Sequence, residues 1–256
     1  MREFAIRGVR LGAGAPKTIV SLMGGNADEL VAQARKAAQG GADLLEWRVD
    51  HLSDPSRAAT VARGLRDVLP RVPLVATVRT VAQGGFAELS RDAYANVCRS
   101  LVRCACTSVL DIEFDKGERI VRELVGEAHA QGKHAIVSFH DFARTPSTPR
   151  MVELMERMVA LGADLPKLAV MAKSQTDCLR LMEASARVRD NLGVPTVAIA
   201  MGPYGTLSRL AGESCGSALT FCSLDQASAP GQVELTQARD ILASLHAVLG
   251  KQDTTR

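Results

Sequence analysis

The sequence has no apolar run approaching the roughly 20 residues that span a bilayer, and its start, from Met1 to Arg7, lacks the apolar segment of a signal peptide. It has no excess of charge. Its 31 Lys and Arg stand against 28 Asp and Glu, a net +3 over 256 residues, which argues against nucleic acid or a membrane as partner. Its six cysteines (Cys98, Cys104, Cys106, Cys178, Cys215, Cys222) form no CxxC and no metal-ligand spacing. They read as reduced, mostly buried thiols of a cytoplasmic protein with no structural metal. Cys104-Ala105-Cys106, at a helix end, stays open as a metal or redox pair. No Gly/Ser-rich or Pro-rich linker and no low-complexity stretch divides the chain, so residues 1–256 read as one domain. A GxGxxG turn is missing after the first candidate strand, where Leu22-Met23-Gly24-Gly25-Asn26 stands. That absence speaks against an open, doubly wound dinucleotide fold.

What is present is a repeating unit of strand, loop and helix. After a leader that suits a hairpin (Phe4 to Leu11), candidate strands run over Thr18–Met23, Asp43–Asp50, Leu74–Arg79, Val109–Phe114, Ala135–His140, Pro166–Met171, Thr196–Met201 and Ala218–Cys222. Helix-period segments fall between them, at Asp28–Ala38, Pro55–Val68, Asp92–Arg103, Glu118–Gln131, Thr148–Leu161, Thr176–Asn191 and Thr206–Ala211, with a last one over Glu234–Leu249. Several end in glycine, as at Gly40, Gly132, Gly162 and Gly193. Alternation implies parallel strands joined by right-handed crossovers. Eight units in about 250 residues predict an α/β fold, a single (β/α)8 TIM barrel with a short N-terminal hairpin.

Within that frame Lys167 needs a reason, because Leu165-Pro166-Lys167-Leu168-Ala169-Val170-Met171 otherwise reads as a buried strand. A buried ammonium is costly to desolvate, so the site must supply partners or let the lysine go neutral, and a neutral lysine is a nucleophile. A Schiff-base lysine facing a carbonyl substrate is one reading; a strand-end lysine snorkelling into solvent is the other. The other strands favour the first. With a period of two, Glu46, Arg48 and Asp50 share a face, as do Asp111 and Glu113, and other strands end in Arg79 and His140. Any one pair, such as Glu46 with Arg48, could be a buried ion pair. Ionisable groups at the carboxyl ends of five strands point to a site. His140, next to the Lys167 strand, suits general acid/base work, with neighbouring cations favouring a neutral lysine. Arg48, Arg79 and Arg209 suit forked bonds to a carboxylate, so a small anionic carbonyl compound is the implied ligand.

These residues lie in ordered motifs: Ser21 in Thr-Ile-Val-Ser-Leu-Met-Gly, Leu45-Glu46-Trp47-Arg48-Val49-Asp50, Thr77-Val78-Arg79 followed by Gly84-Gly85, Asp111-Ile112-Glu113, and Ser138-Phe139-His140-Asp141-Phe142. They continue with Pro166-Lys167-Leu168-Ala169-Val170-Met171, Met201-Gly202, Ser208-Arg209-Leu210, and Phe221 followed by Ser228 and Gln232. The sequence thus resembles the type I 3-dehydroquinate dehydratases of the shikimate pathway along nearly its whole length. The resemblance implies a cofactor-free loss of water from a hydroxy-acid ketone, with Lys167 as Schiff-base nucleophile and His140 as general acid/base. It implies that Arg209, Arg48, Arg79 and Gln232 hold the carboxylate and ring hydroxyls, that Ser21, Glu46 and Ser228 add polar contacts, and that Met201 and Phe221 pack on the ligand. Ser223 to Gln232 then reads as a loop closing over substrate, and a homodimer is expected. One position departs: Gln83 stands where the family carries a glutamate that orients the histidine, and Glu46 is a possible alternative partner. Two other readings remain, a class I aldolase-like lyase using Met201-Gly202-Pro203-Tyr204-Gly205 as a phosphate loop, and a non-catalytic barrel that binds a hydroxy acid for regulation.

Overall fold

The computed structural model describes residues 3–55, 58–68, 72–225 and 227–250. A hairpin, β1 (Phe4–Ile6) and β2 (Val9–Leu11), precedes eight parallel strands: β3 (Lys17–Leu22), β4 (Leu44–Arg48), β5 (Leu74–Thr77), β6 (Thr107–Glu113), β7 (His134–Asp141), β8 (Leu165–Met171), β9 (Val197–Met201) and β10 (Leu219–Ser223). Each strand pairs with the next through β9, and β10 pairs back onto β3. The helices between them are α1 (Ala27–Gln39), α2 (Ala58–Val68), α3 (Arg91–Arg103), α4 (Glu118–Ala130), α5 (Thr148–Ala160), α6 (Gln175–Leu192), α7 (Thr206–Leu210) and α8 (Gly212–Cys215). A two-residue strand, β11 (Val233–Glu234), leads into α9 (Leu235–Leu249). This is the α/β TIM barrel with an N-terminal hairpin that the alternation predicts. Residues 1–2, 56–57, 69–71, 226 and 251–256, which belong to the predicted domain, helix and loop, lie outside the described residues. No helix among the described residues is long and apolar enough to cross a membrane.

Local chemistry sets the element ends. Side-chain oxygens of Asn26, Ser90 and Ser174 accept from the amides of Glu29, Ala93 and Asp177, capping α1, α3 and α6. Pro166 sits inside β8 without breaking the sheet because the ladder to β9 starts one residue later, at Lys167 opposite Val197. Several elements differ from the sequence reading: the predicted third strand, Leu74–Arg79, ends at Thr77 and leaves Arg79 beyond it. The predicted second strand stops at Arg48, and Val49–His51 turn as a short 3-10 segment that folds Asp50 back toward the strand end. The segment after Leu210 forms the unforeseen α8, and β11 takes the start of what reads as the last helix.

The barrel closes unevenly. At its amino end β9 and β10 meet at a single bridge, Thr196 with Ser217, where the Ala218 amide donates to the Thr196 carbonyl at 2.8 Å. Toward the carboxyl end β11 fills the seam instead, pairing Val233 with Cys222, while the Gly202 amide donates to the Pro230 carbonyl at 3.2 Å. The chain there is so close that a Cβ on Gly231 (φ 80°) would lie 2.5 Å from the Gly202 oxygen.

Inward side chains of all eight parallel strands fill the interior. Ile19, Leu44, Val75, Val109, Ile136, Leu165, Val197 and Leu219 form an apolar ring near the amino end, and Ile6 and Leu11 of the hairpin pack into the same cluster. The outward residues, such as Trp47, Leu110 and Val137 on one side and Leu168 and Val170 on another, meet the helices. Leu11→Ala is expected to cost about 2–5 kcal/mol in urea denaturation, the range for a buried leucine truncated in a packed core. Catalytic constants should stay at their wild-type values, because the hairpin plugs the end opposite the charged residues.

Candidate active site

Above the apolar ring the next inward positions change character: Ser21, Glu46, Thr77, Asp111, Ser138, Lys167, Ile199 and Phe221, again one from each strand. One step further lie Arg48, Arg79, Glu113, His140, Ala169 and Met201. They surround a cavity partly open to solvent. Of the predicted site residues Glu46, Arg48, Arg79, Gln83, His140, Lys167, Met201, Arg209, Phe221, Ser228 and Gln232 line it directly. Ser21 stands behind them, donating to Glu46 at 2.6 Å and accepting from Ser228 at 3.1 Å.

Lys167, 3% exposed, is held by carboxylates: its Nζ lies 2.9 Å from Asp111 Oδ2 and 3.7 Å from Glu46 Oε1, and 4.4 Å from the centre of the Phe221 ring. The sequence reading had placed cations beside it; two anions face it as well. Asp111 also accepts from Arg79 at 2.9 Å and from Ser138 at 2.5 Å. Burial alone would raise the Asp111 carboxyl, but Arg79 and Lys167 beside it hold it well below the usual carboxylate range. Glu113 takes Arg79 at 3.3 Å, Lys116 at 2.8 Å and both the amide and hydroxyl of Thr80. Thr77 donates to Glu46 at 2.9 Å.

The arginines therefore differ in what they have left to give. Arg79 is committed to Asp111, Glu113 and Ser138. Arg48 grips Asp50 with two bonds, at 2.8 and 2.7 Å, and Asp50 further accepts from the amides of Arg79 and Phe86. Arg209, 3% exposed, is paired with no carboxylate among the described residues; it donates to the carbonyls of Pro230 at 3.0 Å and Phe221 at 3.5 Å, and its Nε has no partner. Burial lowers it to about 10. Lys167, Arg79, Lys116 and Arg48 each have a carboxylate partner, so among the described residues of this cluster the guanidinium of Arg209 is the cation without one.

His140 Nδ1 lies 3.0 Å from the Gln83 amide oxygen, which also accepts from the His140 backbone amide at 3.0 Å. Since an amide oxygen only accepts, Nδ1 carries the hydrogen and Nε2 is the basic nitrogen. Burial, with Arg79 and Lys167 nearby, pushes the imidazole well below its usual value, so the ring is neutral at pH 7. Glu46, the alternative partner, is taken up by Ser21 and Thr77. The loop after β10 docks on the cavity rim: Ser228 accepts from Gln232 Nε2 at 2.8 Å and its amide donates to Gln232 Oε1 at 2.8 Å. The loop after β9 offers a phosphate little, since Pro203 has no amide hydrogen and the amides of Gly202 and Gly205 donate to Pro230 and Gly202.

Asp111 and Glu113 were visible as inward carboxylates, yet alternation could not assign them as the partners of Lys167 and Arg79. Phe142, which lines the cavity and stacks 6.3 Å from His140 with its ring against Gly84, carried no signal beyond its place in the His140 motif.

Residues 18–248 match the family model for type I 3-dehydroquinase. The 3-dehydroquinate dehydratase of Escherichia coli O9:H4 (strain HS) is 36% identical over 250 residues, 96% of this chain and 99% of that one. The crystal structure of type I 3-dehydroquinate dehydratase from Clostridium difficile, with covalently modified comenic acid, superposes with a TM-score of 0.91 at 33% identity, covering 96% of this chain and 98% of that chain. The 3-dehydroquinate dehydratase structure from Geobacillus kaustophilus HTA426 gives 0.88 at 30% identity, covering 100% and 98%. Matched over most of its length in sequence and in backbone, the chain belongs to the type I 3-dehydroquinase family.

Proposed function

We propose that this chain is a 3-dehydroquinate dehydratase that forms a Schiff base at Lys167 and moves protons with His140, without a cofactor. The observation that carries this reading is the pairing, in one cavity, of a buried lysine and a neutral, oriented imidazole beneath an arginine with no carboxylate of its own. The substrate's carboxylate fills that vacancy on Arg209, with Gln232 and Ser228 on the ring hydroxyls and Met201 and Phe221 against the ring. Lys167 passes a proton to His140 Nε2 and its amine attacks the ketone carbon; a C–N bond forms, the carbonyl oxygen takes up that proton and a second one from the attacking nitrogen, and the C–O bond breaks to release water. The iminium so formed carries the same unit charge as the resting ammonium. Asp111 therefore faces a cation before and after, and the surrounding bonds need not rearrange.

The iminium acidifies the adjacent carbon. His140 Nε2 takes the proton, the electron pair forms the enamine, and its collapse expels the tertiary hydroxyl, to which His140 returns the proton. Water then hydrolyses the imine and frees 3-dehydroshikimate and Lys167. A neutral base is what the Gln83 amide favours, because it orients Nδ1 without stabilising the imidazolium. The same reading makes residues 1–256 one catalytic domain, the loop Ser223 to Gln232 a cover over the substrate, and the protein a cytoplasmic homodimer. The free cysteines support the compartment, and sedimentation reads the oligomer.

Borohydride added during turnover should trap a mass adduct on wild type and none on folded Lys167→Ala, which should also lack turnover by ultraviolet assay. A ligand that raises Tm on wild type with neither adduct nor turnover would replace this reading with the regulatory one. Arg209→Ala should raise KM about 10- to 100-fold, the worth of a charged hydrogen-bonded contact, with a smaller change in kcat. Gln83→Glu places a carboxylate on Nδ1 and raises the His140 pKa, so the acidic limb of the pH–rate profile should move up by about one unit or more. An unmoved limb would take Gln83 out of the proton-transfer network.

A further inference from the structure

At the amino end of the barrel, remote from the cavity, the turn from α3 into β6 carries Cys104 and Cys106 with their sulfurs 3.0 Å apart. The turn is held from three sides: Cys104 N donates to Leu101 O at 3.1 Å, Arg7 of the hairpin donates to Ala105 O at 3.2 Å, and Lys133 donates to Cys104 O. Cys104 is partly exposed, Ala105 is exposed, and Cys106 is buried at 5%. An open cleft adjoins the turn, lined by Ala105 and by the basic side chains of Arg7, Arg103 and Lys133, with His134 beside them. The other four cysteines are buried singly in the core.

Two sulfurs this close, one reachable and one sheltered, with the Lys133 ammonium acting on the reachable one, are arranged for exchange chemistry. A disulfide needs its sulfurs at about 2.05 Å, a closure of about 1 Å within a two-residue turn. The hydrogen bond between the two sulfurs brings Cys104, the more exposed of the pair, down to about 5, and the amides of Cys106 and Thr107 and the Lys133 ammonium add to this. Cys106 is correspondingly pushed up, as the second proton of the pair.

We propose that Cys104 and Cys106 are a thiol–disulfide exchange site for anionic low-molecular-weight disulfides, Cys104 attacking and Cys106 resolving. The Cys104 thiolate displaces one thiolate from the incoming disulfide: its sulfur–sulfur bond breaks and a mixed disulfide forms on Cys104. Cys106 then gives its proton to the released thiolate and attacks the Cys104 sulfur; the internal disulfide forms and the second half of the reagent leaves as thiolate. One disulfide is reduced to two thiols and one dithiol is oxidised. The basic cleft accommodates and attracts the anionic reagent.

The full-length protein is equilibrated in glutathione buffers of graded poise, acid-quenched, alkylated, and read by intact mass and peptide mapping. Cys104 and Cys106 should escape alkylation together as a linked pair, the other four cysteines remaining alkylatable after unfolding. Cys106→Ala should stop at a glutathione mixed disulfide on Cys104, and Cys104→Ala should form neither species. Dehydration rates should be unchanged in both. Alkylation of Cys104 by iodoacetamide at pH 6 should run about tenfold faster than for an ordinary exposed thiol, the gain in thiolate fraction outweighing the lost nucleophilicity. At low salt, glutathione disulfide should react about tenfold faster than neutral 2-hydroxyethyl disulfide, the lower end of electrostatic steering. Full alkylation of both cysteines at oxidising poise would overturn the proposal. So would equal rates for the two reagents, or protection that needs added zinc and no oxidant, which would make the pair a metal site.

Discussion

The ion pair between Lys167 and Asp111 is the constraint on which the upper half of the barrel is built. Two charges removed from water cost several kcal/mol each, and their mutual attraction offsets this only when every remaining donor and acceptor is also met. Asp111 is met by Arg79 and Ser138, Arg79 in turn by Glu113, and Glu113 by Thr80 and Lys116. Each partner demands another until the chain of charges reaches the rim. A cluster so closed cannot absorb a second anion except where a cation has been left over, and that place is Arg209.

Below this layer lies a ring of apolar side chains, and the contrast has a purpose in electrostatics. Low-dielectric walls of isoleucine, leucine and valine leave the charged layer screened mainly by its own members, so small displacements of one group are felt by the others. The neutral His140 fits that setting: its neighbours include Arg79 and Lys167, and its own partner is an amide. A site with one arginine that no carboxylate among the described residues engages, and a base that adds no positive charge beside it, is poised for a singly negative ligand.

Much of this was legible in the sequence because a period of two is unambiguous when one face is apolar. Glu46, Arg48, Asp111, Glu113, His140 and Lys167 all fell on the inner face, as alternation required. What alternation cannot give is which inward groups meet across the barrel. Lys167 and Asp111 lie 56 residues apart and Gln83 and His140 57, the latter pair joining a turn after β5 to β7, and only resemblance to a family connected that second pair. Asp50 illustrates another limit: its spacing reads as strand, yet the pull of the Arg48 guanidinium and two amides turns the chain after Arg48. The strand β11 was hidden for want of length, since two residues carry no period at all.

That short strand has a mechanical meaning. The seam between β9 and β10 is bridged by backbone only at Thr196 and Ser217; higher up, the wall is made of the same segment that brings Ser228 and Gln232 to the cavity, and α9 begins on the very next residue. Wall, rim and terminal helix are one continuous stave. A force or substitution that lifts α9 from the barrel, more than a dozen residues of surface helix with no atom in the cavity, therefore pries open the cylinder at the edge where the ligand is gripped.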